Sequence, residues 1–271
     1  MLDGHTHIWP AGLRHPAQRT AFVLPCEADD LVAALDRAGI ERAIVIPASV
    51  YRDNDWVVAA AGRSAGRLLA VASLETPADI KRVADLPSDG VVGVRLTGSV
   101  CRSDGEFDHI FVDEAVALAL QRGAPIQWTL PLDRVVEVVS HAAKRSQRLV
   151  QIVDHLGLPR DVTRSTDLDP IRALAAIDGV YVKLSGMYAL SRRAYPYEDT
   201  WPWIAGVLDA FGADRMLWAS DWPLSAESAP YIDQLALLGR LPFLSEDDRR
   251  RLTDGRLFDL GRSSADAGIG A

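Results

Sequence analysis

Basic residues, cysteine, long apolar runs and glycine-rich phosphate loops are all scarce in this chain. Its 271 residues carry 29 Lys and Arg against 37 Asp and Glu, a formal net charge of −8. That balance excludes a general binder of nucleic acid, whose affinity rests on basic surface. It does not exclude a small anionic ligand, because local charge decides that. Two cysteines, Cys26 and Cys101, make no disulfide framework and point to a reducing, cytoplasmic setting. No apolar run reaches membrane-spanning length, and no basic stretch precedes an apolar one near Met1. Neither a membrane partner nor a signal peptide is expected. There is no internal repeat and no interdomain linker, so one domain is expected over residues 1–262. The small, polar stretch 263–271 reads as a disordered tail.

What is present is an alternation. Short runs rich in Val, Ile and Leu recur: LDGHTHIW at the start, then AIVIPAS (43–49), LLAVASLE (68–75), VVGVRLTG (91–98), PIQWTL (125–130), LVQIVDHLG (149–157), VYVKLSGMY (180–188) and RMLWASDWP (215–223). Near-continuous apolar runs suit parallel strands buried on both faces. Amphipathic stretches lie between them, several ending in Gly, the common helix C-terminal signal. About eight strand–helix units of roughly 30 residues predict an α/β protein, a single-domain (β/α)8 TIM barrel. A doubly wound open sheet has the same local alternation. No glycine-rich dinucleotide fingerprint follows the first run, which weakens that alternative. Residues 98–110 and 189–200 read as longer loops after strands four and seven, and Ser245 reads as the N-cap of a final helix.

The chemistry gathers where strands end. His5 and His7 are two apart and share a strand face, with Asp3 one step below on the same face. Strand six closes with His155 in DHLG, and strand eight with Asp221 in SDWP. Asp154, beside His155, is expected to face outward or to hold a loop. The C-terminal face of a barrel would then collect His5, His7, His155 and Asp221, four N/O donors suited to a divalent metal such as zinc. Singly, each has a plain structural reading: His-x-His by chance, a satisfied core histidine at 155, a helix cap at 221.

Together, DGHTHIW, GVVGVRLTG, VDHLGLP, VYVKLSGMY and WASDWP resemble the amidohydrolase superfamily, in its amidohydrolase-2 branch. Within it they are most similar to the group holding 2-pyrone-4,6-dicarboxylate lactonase, sugar lactonases and aldarolactone isomerases. The likeness runs from Asp3 to about Leu260. It implies a distorted barrel with its site above the strand C-termini, and it implies that His5, His7, His155 and Asp221 form the metal or catalytic cluster. Members of the group work either with one divalent ion, usually zinc, or with none. Many dinuclear relatives carry a lysine after strand four, where this chain has Arg95, so a dinuclear centre is not expected.

The implied reaction is hydrolysis of a small anionic lactone, a sugar-acid or aromatic-catabolic one, with Asp221 taking a proton from water. His5, His7 and His155 would ligate the metal, or donate hydrogen bonds to the carbonyl oxygen without one. Arg95 and Arg102 offer forks for a substrate carboxylate. Lys183, if it points inward, must be paired or neutral, and is a substrate or carboxylate binder. Tyr188 and Trp9 are candidate pocket walls, as are Trp222 and Trp128, core packing being the stronger reading for Trp128. Three positions depart from the family pattern: Ala189 in place of an arginine, Leu224 in place of a histidine, and TDGRLFDL in place of Asn-x-Ala-Arg. The first bears on dicarboxylate specificity. Two further readings stay open: a decarboxylase or lactone isomerase on the same barrel, and a barrel that binds a small acid without turning it over. Oligomeric state is not legible.

Overall fold

A computed structural model describes residues 1–12, 26–48, 51–87, 90–162 and 167–258. The proposed tail at 263–271 and the end of the second apolar run, at Ser49, lie outside them. In chain order the elements are β1 (Leu2–Thr6), α1 (Ala28–Ala38), β2 (Arg42–Val45), α2 (Asn54–Gly62), β3 (Leu68–Leu74), α3 (Pro77–Ala84) and β4 (Val91–Leu96). There follow α4 (His109–Arg122), β5 (Ile126–Trp128), α5 (Leu132–Ala143), β6 (Gln151–Val153), α6 (Asp169–Ala175) and β7 (Val180–Leu184). The chain continues with α7 (Met187–Leu190), α8 (Trp201–Phe211), β8 (Met216–Trp218), α9 (Tyr231–Arg240) and α10 (Glu246–Thr253). Ser245 caps α10, its hydroxyl accepting from the Asp248 N–H. Among the described residues, no helix is long and apolar enough to cross a membrane.

The eight strands form one parallel sheet in the order β1 to β8. The sheet closes on itself, as the Asp221 N–H donates to the His5 carbonyl at 2.9 Å and the His7 N–H to that of Trp222 at 2.7 Å. Gly4 permits this seam. A Cβ there would lie 2.4 Å from Leu217 Cδ2, so any side chain would push β1 off β8. The result is a (β/α)8 barrel, and the open-sheet alternative falls.

Period-two alternation sorts the strand residues into two cores. Ala43, Val45, Ala70, Ala72, Ile126, Trp128, Val182 and Leu184 pack against the helix layer. Ile44, Ile46, Val71, Ile152 and Leu217, from the alternate positions, form a second cluster with Leu2, Leu257 and Phe258. That apolar plug fills the barrel. Further along the same inward faces stand Arg95, Gln127 and Lys183, all buried. The barrel thus changes from apolar to ionic at the level where its strands end.

Several strands are shorter than their apolar runs. β6 stops at Val153 and β8 at Trp218, so His155 and Asp221 lie in the turns beyond them. Both have positive φ, 51° for His155 and 61° for Asp221. The left-handed region is costly for residues with a Cβ, and its use here by two site residues marks turns held by their surroundings.

Candidate active site

His5 and His7 both reach the barrel axis. Their Nε2 atoms are 3.2 Å apart and their rings stand at 79° to each other. The His7 ring is oriented from behind, with Nδ1 2.8 Å from the Ile46 carbonyl. A carbonyl only accepts, so Nδ1 carries the proton and Nε2 of a neutral ring presents a lone pair to the centre. Asp221 Oδ1 lies 3.2 Å from that Nε2 and 3.7 Å from His5 Nε2. It is buried and, among the described residues, meets no donor in hydrogen-bonding geometry. The other oxygen, Oδ2, accepts from the Tyr188 hydroxyl at 2.7 Å. Burial works against the Asp221 charge, but the positive charge that His155, His5 and His7 can carry beside it outweighs burial and holds the carboxyl well below the usual range. Burial beside the Asp221 charge in turn holds the Tyr188 hydroxyl protonated far above its ordinary range.

The alternation argument fails for Asp3. The ladder between β1 and β2 slips between Asp3 and Thr6, and Asp3 turns away from the cluster. Its Oδ1 accepts from the Ser220 N–H at 3.0 Å and the His5 N–H at 3.2 Å, and its Oδ2 from the Tyr231 hydroxyl at 2.8 Å. It braces β1 against the turn after β8 and against α9, and burial raises its pKa to about 6.

Asp154 is a correction of the opposite kind. It is fully buried and faces inward. It follows Ile152 on the inward parity, and its extended backbone (φ −74°, ψ 150°) keeps that parity past the strand end. Lys183 Nζ is 2.9 Å from its Oδ1. Arg95 Nε is 3.2 Å from its Oδ2, and the Thr129 hydroxyl donates to the same oxygen at 2.5 Å. Burial would raise the Asp154 pKa, but Lys183, His5 and Arg95 outweigh it and the carboxyl stays ionised well below the usual range.

Lys183 points inward and is paired. Besides Asp154 it contacts Gln127 Oε1 at 2.6 Å and His5 Nδ1 at 3.0 Å. It has no exposed surface, and its ammonium pairs with the Asp154 carboxylate. Burial lowers its pKa, opposed by the Asp154 charge. Burial, and then the charge of Lys183, push the His5 pKa well below 6.5, so His5 is neutral at pH 7.

His155 takes the inward direction only because φ turns positive at its position; strict alternation would send it out. Its Nδ1 is 2.9 Å from Ser185 Oγ, and its ring lies 4.8 Å from that of His5, tilted by 50°. Gly186, next to Ser185, has φ 73° and makes the room. A Cβ there would sit 3.0 Å from both Cβ and Nδ1 of His155.

The four predicted donors therefore form no single set. Two overlapping triplets share His5: His5–His7–Asp221, and His5–Asp154–His155, each with ligand atoms within 4.8 Å of one another. The first fits a divalent cation. It offers a lone pair fixed by an Nδ1–H bond to a carbonyl, a carboxylate oxygen without a donor, and a second imidazole nitrogen. Two members of the second triplet, His5 and Asp154, already contact the ammonium of Lys183.

The remaining expectations fall unevenly. Arg95 is buried, with Nε bonded to Thr129 at 2.7 Å and to Asp154; among the described residues its two Nη groups have no hydrogen bond. Arg102 is exposed in the loop after β4 and pairs with Asp104 at 3.1 Å, apart from the cluster. Trp9 is buried with Cys26 and Ala48, and Trp222 lies in the main core. Trp128 packs in the core with its Nε1–H on Gln151. Gln127 and Thr129 carry no sequence signal that would have singled them out.

The sequence profile of the amidohydrolase family matches residues 2–258. Among curated proteins, the chain is 26% identical to 4-sulfomuconolactone hydrolase of Hydrogenophaga intermedia, over 94% of this chain and 88% of that protein. It is 26% identical to L-fucono-1,5-lactonase of Burkholderia ambifaria, over 98% of this chain and 97% of that one. Among solved structures, a putative 2-pyrone-4,6-dicarboxylic acid hydrolase from Pseudomonas putida superposes with a TM-score of 0.77 at 22% identity, covering 96% of this chain and 97% of that one.

Proposed function

The chain belongs to the amidohydrolase family, and from that premise we propose that it hydrolyses a small, carboxylate-bearing lactone at the top of its barrel. The observation that carries this reading is the Asp221 carboxylate. One oxygen is anchored by Tyr188, while the other is buried beside two histidines and, among the described residues, free of donors. An ionised carboxylate with one oxygen anchored and the other turned to the site can take a proton from water as that water attacks. The names of the lactone-opening relatives support the ester class.

Water against Asp221 Oδ1 gives up a proton to it as the water oxygen adds to the lactone carbonyl carbon. Negative charge gathers on the carbonyl oxygen, and N–H groups of the histidine cluster stabilise it there, His155 being set for this by Ser185. The ring C–O bond then breaks, and the proton held on Asp221 passes to the departing oxygen. The product is an open hydroxy acid. A divalent ion such as zinc, held by His5, His7 and Asp221 with His155 alongside, would supply Lewis acidity toward the ester carbonyl. Arg95 takes the substrate carboxylate. Its Nε is spent on Thr129 and Asp154, which fixes the guanidinium plane and leaves the Nη groups for a bidentate anion.

The test is acid release, followed by a pH indicator, from a panel of sugar-acid, muconate-type and pyrone lactones, with and without zinc. Turnover of one class, abolished by Asp221→Asn with the fold intact, is the expected result. Full activity in that variant removes Asp221 from the mechanism. Release of CO2, or a rearranged product without acid, moves the reaction to the decarboxylase or isomerase reading.

A further inference from the structure

We propose that Lys183 is a positioning residue that holds His5 in its Nε2-protonated tautomer, and so sets how tightly the His5–His7–Asp221 triplet takes a divalent ion. The inference concerns the cluster itself and stands whichever ester the site cleaves.

Lys183 sits below the cluster with no exposed surface and three acceptors around its Nζ: Asp154 Oδ1, Gln127 Oε1 and His5 Nδ1, at 2.9, 2.6 and 3.0 Å. An ammonium ion has three donors and no lone pair. Paired with the Asp154 carboxylate, it can only donate to His5 Nδ1. A neutral imidazole that accepts at Nδ1 carries its proton on Nε2. That N–H faces His7 Nε2 at 3.2 Å and Asp221 Oδ1 at 3.7 Å. His7 accepts there, because its own proton is committed to the Ile46 carbonyl. One donor chain therefore runs from Lys183 through His5 and His7 to Ile46, with every proton placed.

The chain closes without a metal. For His5 to ligate an ion through Nε2, that proton must leave and the Lys183–Nδ1 contact must be given up. The alternative partner is in place. Asp154 Oδ1, which already pairs with the Lys183 ammonium, lies 3.5 Å from His5 Nδ1. A His5 that donates Nδ1–H to Asp154 would be the carboxylate-oriented metal ligand familiar from outer-shell partners. Lys183 competes for that nitrogen.

The experiment reads tautomers and affinity rather than turnover. Long-range 1H–15N correlation spectra of the six histidines, with His5 assigned through a His5→Gln variant, give its tautomer in chelator-treated wild-type protein and in Lys183→Met. Zinc affinity is measured on both by competition with a chromophoric chelator. In wild type His5 is expected to carry its proton on Nε2. In Lys183→Met it is expected to move to Nδ1, with zinc held at least about tenfold more tightly, the scale on which outer-shell partners act. A wild-type His5 protonated on Nδ1 overturns the proposal without need of any variant. A Lys183→Met protein whose His5 tautomer is unchanged overturns it too, even with tighter zinc, because loss of the ammonium charge alone would do that. Unchanged or weaker zinc binding in a variant with the altered tautomer overturns the link to affinity.

Discussion

Replacing Tyr188 by Phe removes one oxygen and nothing else from the cluster. The hydroxyl donates at 2.7 Å to Asp221 Oδ2, and the ring that carries it stays to fill the same space. A hydrogen bond to a charged group contributes roughly 1.5–3 kcal/mol. If Tyr188 keeps Oδ1 aimed at water, the loss falls on the transition state, and at 1.36 kcal/mol per tenfold kcat drops about 10- to 150-fold. KM is unchanged, since the hydroxyl is spent on Asp221 and not on substrate. The unfolding midpoint should fall as well, by about 2–4 °C for each kcal/mol lost from a chain of this size class. Steady-state hydrolysis of the best lactone, alongside a thermal melt, measures both. A kcat within twofold of wild type, or a raised KM at unchanged kcat, would refute the reasoning and return Tyr188 to the role of a pocket wall.

Gly186→Ala should lower both stability and kcat: a left-handed residue with a Cβ costs about 1–2 kcal/mol, and that Cβ would press on His155 at 3.0 Å. Urea unfolding and kcat report it, and no change in either would show that the His155 ring has slack. Asp154→Asn leaves the buried Lys183 without its counter-charge and is expected to cost about 3–5 kcal/mol; an unfolding free energy within 1 kcal/mol of wild type, roughly the scatter of surface changes, would contradict the pairing. The pH profile follows from two lowered pKa values. Asp221 stays ionised through the ordinary range, and His5, lowered by burial and then by Lys183, becomes protonated only below pH 6.5. Activity in kcat/KM should therefore be flat from pH 7 upward into the weakly alkaline range, with its acid limb below pH 6.5. An acid limb centred above pH 7 would mean that a different group governs the reaction.

Much of this protein was readable along the chain. Apolar runs of near-strand length, spaced about 30 residues apart, are a local property, and so is the alternation that sends Ile44, Val71, Ile152 and Leu217 inward. Ser245 as a cap and His5, His7 and Asp221 as a group followed from position at the strand ends. Arg102 pairs with Asp104 two residues away, a contact that strand-end position does not foretell. Asp154 shows the limit of that reasoning. Parity counted from Ile152 sends it inward, but attention to its histidine neighbour hides this, and only the left-handed turn at residue 155 lets both face the axis.

By itself, then, the sequence determined the eight-fold alternation, the inward face of the strands other than β1 and the donor types gathered at one end, because these depend on spacing and side-chain chemistry within a few residues. Which donors meet was decided by the closed barrel. The separation of 178 positions between His5 and Lys183, the slip that turns Asp3 toward α9, and the gathering of His5, His7, Asp154, His155 and Asp221 into two triplets that share His5 all depend on how β1 meets β8 and β7. No local pattern carries that information, since it arises only when the sheet closes and each strand's height is fixed by its neighbours.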